Sequence, residues 1–242
     1  MKIEEDGESN LVIKPTKQTI DDKLGVPEPF LNKCGVYVVS GGMGSGKSSF
    51  LNSVMTANGN GRVYKHIFNK VFYSTPQEVF DSEENHPFKK HNKSRLFFDL
   101  SNKTFESIVE QAIAEKDDGG NSMLILDDWS EQLKDRRVEL WLKRLIHKHR
   151  HYKLNIMISL LTLKSLPRAL RALVDCYVIF KPKSLIEMGN FSEEVFAMEK
   201  KDLQVLFDYV FDEPYNFLFY NQRDNAYYRN FTRLKLKYDE NI

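Results

Sequence analysis

Two short stretches carry residues able to do chemistry on a phosphate. The first, "GGMGSGKSS", has Gly41, Gly46, Lys47 and Ser48 in the full G-x-x-x-x-G-K-[ST] spacing. Glycines let a backbone take positive φ and approach a phosphate, so successive N–H groups and the following helix start form a positive cradle. In that cradle Gly41, Gly42, Gly44, Ser45 and Gly46 wrap the anion. Lys47 reaches the β and γ phosphates, the Ser48 hydroxyl ligates Mg²⁺, and Ser49 contacts the α phosphate. The second stretch, "SMLILDDWS", is an apolar run ending in two carboxylates. Asp127 is placed to hold the water shell of Mg²⁺, and Asp128 to position the attacking water. Transfer to a small acceptor needs no water-activating acid at that place, whereas hydrolysis coupled to movement does.

These stretches need elements to hold them. Apolar, β-rich runs lie at 35–40, 70–74, 96–100, 123–126, 155–163 and 173–180, with helical patterns at 47–56, 104–116, 131–151 and 166–172 between several of them. Strands separated by helices imply an α/β fold: a mainly parallel sheet with helices on both faces and ligands beyond the carboxyl ends of the strands. With the phosphate loop between a strand and a helix, the expected fold is of the P-loop NTPase kind. The stretch "NFLFYNQRDNAYYRNFTRL" reads as two aromatic-rich strands around a polar turn, a C-terminal hairpin at the sheet edge. The acidic stretch 186–213 reads as helical and solvated. Residues 1–32, with Pro15, Pro27 and Pro29, read as an irregular arm lying on the body or partly mobile, and 33–242 as the ATPase domain.

Composition narrows the class further. With 242 residues, 41% of them hydrophobic, the chain suffices for one large domain. The 35 Lys and Arg almost cancel the 34 Asp and Glu, so any case for a polyanion partner rests on local charge. Such charge exists at 143–153, 164–183 and 223–237. Cys34 and Cys176 stand far apart without metal-ligand spacing, which fits buried thiols in a reducing, intracellular setting. His147 and His151 share a helix face, but no third ligand with suitable spacing accompanies them. No apolar run approaches membrane-spanning length. Arg150 ends the long helix after the acidic pair. With Arg171, and Arg168 as a competitor, it is a candidate to reach a neighbour's nucleotide and stabilise the transferring phosphoryl group.

Taken in order, "GGMGSGKSS", "MLILDDWS", "HRHYKLNIMIS" and "LPRALRALVDCYVIFKP" resemble the compact FtsK-HerA-type ATPases that package viral DNA, as in poxviruses, other large DNA viruses and virophages. The resemblance spans about residues 35–182. It implies Lys47 and Ser48 as Walker A residues, Asp127 and Asp128 as the Walker B pair, and Arg150 and Arg171 within downstream signatures. It also implies ATP and Mg²⁺, a homo-oligomeric ring gripping the backbone of double-stranded DNA, a capsid or portal vertex protein as partner, and an assembly site in the host cytoplasm or association with the virion. One departure stands out. The polar sensor that usually closes the strand before the proline has only Thr162 as its nearest counterpart, with Leu161 or Leu163 in its place. Two other classes remain open on the residues alone: a different P-loop NTPase, such as a helicase-like remodeller or nucleotide kinase, and a nucleotide-gated assembly protein without turnover.

Overall fold

In the computed structural model, residues 23–84, 86–196 and 198–237 are described, and most of the arm, 1–22, lies outside them. The strands are β1 (Val36–Ser40), β2 (Lys70–Ser74), β3 (Leu96–Phe97), β4 (Ser122–Leu126), β5 (Leu154–Leu160), β6 (Cys176–Phe180), β7 (Phe217–Asn221), β8 (Ala226–Arg229) and β9 (Thr232–Leu234). The helices are α1 (Lys47–Thr56), α2 (Gln77–Ser82), α3 (Asn102–Asp117), α4 (Arg136–Lys148), α5 (Arg168–Arg171), α6 (Leu185–Phe191) and α7 (Lys200–Val210).

All nine strands join one sheet in the order β3-β2-β4-β5-β1-β6-β7-β8-β9. The first six run parallel and the last three antiparallel. Parallel strands covered on both faces need apolar side chains on both, and every residue of β1, β4, β5 and β6 is buried. Alternation sorts them. Val36, Val38, Leu124, Leu126, Ile156 and Ile158 meet α3, α4, α5, α6 and α7 on one face. Tyr37, Val39, Met123, Ile125 and Met157 meet α1, α2 and the segment from Leu24 to Leu31 on the other. Full burial of each such aliphatic chain contributes about 1.5–3 kcal/mol before the entropy of ordering is set against it.

Helix starts follow local chemistry. The Ser101 hydroxyl accepts from Thr104 N–H and opens α3, and the Asp135 carboxylate accepts from Arg137 N–H and opens α4. These caps also explain where the expected elements shorten. β3 stops at Phe97 because Asp99 turns the chain into the α3 cap, accepting from Ser101 N–H and the Thr104 hydroxyl. The helix expected at 131–151 opens as a 3-10 turn over Gln132–Lys134, and α4 itself begins only after Asp135. β5 ends at Leu160 rather than 163, because the Ser130 hydroxyl takes the Leu161 N–H that would have continued the ladder.

The C-terminal edge carries more than a hairpin. β7 and β8 pair around a turn in which Asn221 Oδ1 accepts from Arg223 and Asp224 N–H, and β9 adds a third strand. The 186–213 stretch is helical, with a π-helical turn at Ser192–Phe196 between α6 and α7. It is not simply solvated: Phe191, Phe196, Leu203, Phe207 and Val210 bury against β7 and β8 as part of the core. Of the arm, Phe30 and Leu31 are buried against the sheet. Both cysteines are buried free thiols, and among the described residues no helix is long and apolar enough to cross a membrane.

Candidate functional site

The loop between β1 and α1 is shaped by its glycines. Gly44 and Gly46 hold φ of 73° and 108°, and a β-carbon on Gly41 would lie 2.7 Å from that of Phe180. Gly41 N–H donates to the Leu160 carbonyl at 3.1 Å, fastening the loop to β5. Unlike α3 and α4, α1 starts on Gly46 with no side-chain cap and no acid in its first turn. Its first N–H groups and the positive end of the helix dipole are thereby left to an external anion.

Lys47 is half-buried and its ammonium donates to the carbonyls of Gly41 and Gly42 at 2.7 and 3.1 Å. Burial lowers its pKa, opposed by the charges of Asp127 and Asp128 and reinforced by Lys183. The acidic pair and the loop lysine therefore share one field, although they lie 80 residues apart in the chain. The topology brings this about: β5 sits between β1 and β4, and all three end on the same side.

Asp127 is buried directly after β4, with its N–H donating to Ser74 O at 2.8 Å. Its Oδ2 accepts from the Tyr73 hydroxyl at 3.0 Å, and Tyr73 in turn stands 3.0 Å from His86 Nε2. His86 Nδ1 accepts from Phe88 N–H, which assigns the ring proton to Nε2. Burial lowers the His86 pKa, while burial and the Asp127 charge raise that of Tyr73. Both groups therefore stay neutral donors near pH 7, and a directed chain runs from His86 through Tyr73 to Asp127. The Asp127 carboxylate accepts from Tyr73 through one oxygen. It and the Ser48 hydroxyl, which follow β4 and β1, are hard oxygen donors of the kind Mg²⁺ takes.

Asp128 is exposed and adopts a left-handed backbone at φ 58°, which turns the chain between two buried neighbours, Asp127 and Trp129. The Trp129 indole N–H donates to Ser74 Oγ at 3.1 Å and holds the turn. Desolvation and the adjacent Asp127 raise the Asp128 pKa, and Lys47 opposes them. A carboxylate of raised basicity beside the phosphate loop suits orientation of water.

The arginines divide. Arg150 precedes β5 at the amino edge of the sheet, where Ser122 N–H donates to Lys153 O. A seven-residue strand separates it by about 20 Å from the edge that carries its own chain's loop. Arg171 is buried: its guanidinium donates to Leu166 O at 2.7 Å and pairs with Glu194, so it knits α5 to the π-helical turn. Arg168 opens α5 beyond the carboxyl end of β5 and is exposed. Thr162 is exposed and faces the Ser165 hydroxyl at 3.3 Å, and Leu163 is buried.

Tyr73, His86 and Lys183 belong to the site without having been singled out from the sequence. Lys183 lies across the loop, its Cε 2.5 Å from where a Gly42 β-carbon would sit. The phrase "VFYSTP" marks a strand ending beside the acids, yet nothing in it foretells a tyrosine bonded to a residue 54 positions on. Tyr73→Phe keeps the ring stacked on Phe88, at 4.5 Å between centroids, and removes only the hydroxyl. The Mg²⁺ concentration that half-saturates nucleotide binding is expected to rise about tenfold in this variant, as for other outer-shell partners. A Mg²⁺ titration of nucleotide binding, with thermal melting as the fold control, checks this; an unmoved midpoint would reduce Tyr73 to a core residue.

The fold is that of a P-loop NTPase, with β5 standing between β1, which leads into the phosphate loop, and β4, which ends at the acidic pair. The family model described as Poxvirus A32 protein matches residues 30–213, most of the chain, and the protein belongs to that family. No curated relative matches the chain. Among solved structures, the genome packaging NTPase B204 from Sulfolobus turreted icosahedral virus 2 in complex with ATP-gammaS superposes with a TM-score of 0.61 at 16% identity, covering 83% of this chain and 98% of that one. B204 described as the DNA-packaging ATPase from Sulfolobus turreted icosahedral virus gives 0.60 at 16% identity over 82% and 97%. The cytoplasmic domain of the Thermomonospora curvata type VII secretion ATPase EccC gives 0.50 at 12% identity, covering 94% of this chain and 28% of that one. At these identities the likeness is one of fold.

Proposed function

We propose that this protein hydrolyses ATP to drive double-stranded viral DNA into a capsid. The observation that carries the packaging reading is the match of residues 30–213 to the Poxvirus A32 family. Turnover is supported by the sheet order that brings the loop after β1 and the acidic pair after β4 to the same edge on either side of β5. The glycine loop and the start of α1 bind the triphosphate, and Lys47 leaves its carbonyl partners to hold the β and γ phosphates. Ser48 and the Tyr73-anchored Asp127 would hold Mg²⁺, which when bound neutralises charge on the phosphate oxygens. Asp128 orients the attacking water.

An arginine from a neighbouring subunit would complete the site and make a ring the working form. Arg168, exposed on the loop edge, suits this role better than Arg171, whose guanidinium is committed to Glu194. The exposed bases of α4, among them Lys143, Arg144 and Lys148, supply phosphate-backbone contacts that need no sequence. A capsid or portal vertex protein is the docking partner this task requires, in the host cytoplasm where virions assemble.

Steady-state ATP hydrolysis with and without long duplex DNA tests the proposal. Turnover is expected to rise with DNA of any sequence and to lose that stimulation as salt is raised. Turnover indifferent to DNA, together with phosphate appearing on a small acceptor, would replace the motor with a kinase.

A further inference from the structure

A cleft of about 370 Å³ opens directly beside the phosphate loop, and its walls beyond Gly46 and Ser49 belong to neither the loop motif nor the acidic pair. Gly46 and Ser49 belong to both the loop and the cleft, so the two are continuous. Gly46 keeps the passage open: a β-carbon there would lie 3.3 Å from the Phe180 ring and 3.5 Å from that of Tyr215. The remaining walls are rings and aliphatic chains, with Phe217 packed edge-on to Phe50 at 5.2 Å between centroids.

Two aromatic side chains at this cleft are exposed where burial would be their ordinary lot. Tyr215 is 72% exposed and Phe231, in the turn between β8 and β9, 50%. Tyr215 also holds a left-handed backbone at φ 67°, a conformation costly for a bulky residue and typical of ligand sites. Two amides at this edge are engaged with one another's residues: Phe217 N–H donates to Asn230 Oδ1, and Asn230 N–H to Phe217 O. Ser49 and Ser53 supply the hydroxyls.

We infer that this cleft is the nucleobase subsite, and that it holds a purine by stacking with little discrimination between adenine and guanine. The inference rests on the reading of the loop as a triphosphate site. A ring-lined wall rewards the large π face of a purine over a pyrimidine. Strong rejection of one purine requires buried hydrogen-bonding groups matched to the other, and a hydrophobic wall separates close analogues only weakly.

Calorimetric titration of the full-length chain with ATPγS, GTPγS and inorganic tripolyphosphate, each with Mg²⁺, tests it. ATPγS and GTPγS are expected to bind within about tenfold of each other. Tyr215→Ser and Phe231→Ala should each weaken both nucleotides about tenfold and leave tripolyphosphate unchanged. Ser53→Trp, on an exposed face of α1, should do the same by filling the cleft. Nucleotide affinities unmoved in all three variants, with tripolyphosphate still bound, would overturn the subsite alone. A preference above about a thousandfold for one purine would overturn the stacking account. Failure of the unaltered protein to bind either nucleotide or tripolyphosphate would overturn the triphosphate reading and the subsite with it.

Discussion

Lys47→Ala is expected to lower ATP turnover about a thousandfold or more while the protein stays folded. The ammonium does two jobs that alanine cannot. It satisfies the Gly41 and Gly42 carbonyls in the loop, and it is the half-buried cation closest in sequence to the open start of α1. Charge that builds on the transferring phosphoryl oxygens meets this cation in a site where burial has already weakened its hydration, which enlarges its effect. Nucleotide affinity should fall as well, because under the proposed function the lysine would also contact the ground-state triphosphate. Turnover measured beside calorimetric affinity and a melting curve separates these effects. A variant that melts normally and turns over at the parent rate would remove Lys47 from the chemistry.

Asp128→Asn should behave differently. Asparagine keeps the size and the tolerance for a left-handed backbone that φ 58° demands, so the turn before Trp129 survives. What disappears is the basic carboxylate. Turnover is expected to fall about 10²- to 10⁴-fold, with nucleotide affinity within about threefold of the parent. That split between rate and affinity distinguishes a water-orienting acid from a structural one. It also separates a motor from a nucleotide-gated assembly protein, which would keep its function when hydrolysis stops.

The parts of this site that were legible in the sequence are those whose chemistry is local. A phosphate loop needs fixed spacing within nine residues, and an apolar strand ending in two acids is one continuous segment, so both stand out. The parallel sheet was legible for the same reason, four of its strands, β1, β4, β5 and β6, being fully buried and mostly apolar runs. Contacts between distant segments left no such trace. Nothing in the sequence names Glu194 as the partner of Arg171, 23 residues earlier. His86 reads as one more polar residue in a loop until β2 brings Tyr73 to it. Arg150 follows the acidic pair in sequence, and only strand direction shows that it emerges at the other edge of the sheet. β9 is three residues long, two of them exposed, too short and too polar to announce itself.

The end of β5 bears on how such a protein could do mechanical work. Its last carbonyl, on Leu160, takes the N–H of Gly41 in the phosphate loop, and the next N–H, on Leu161, is held by Ser130 just past the acidic pair. The strand tip is thus riveted on one side to the phosphate loop and on the other to the turn that follows the acidic pair. A tug on the 161–167 segment would load both rivets at once, shifting the phosphate loop and the turn of the acidic pair in a single stroke. Conversely, tightening around a triphosphate would reel that segment in. Stiffness at one strand end would then serve as the gearing between fuel and traction.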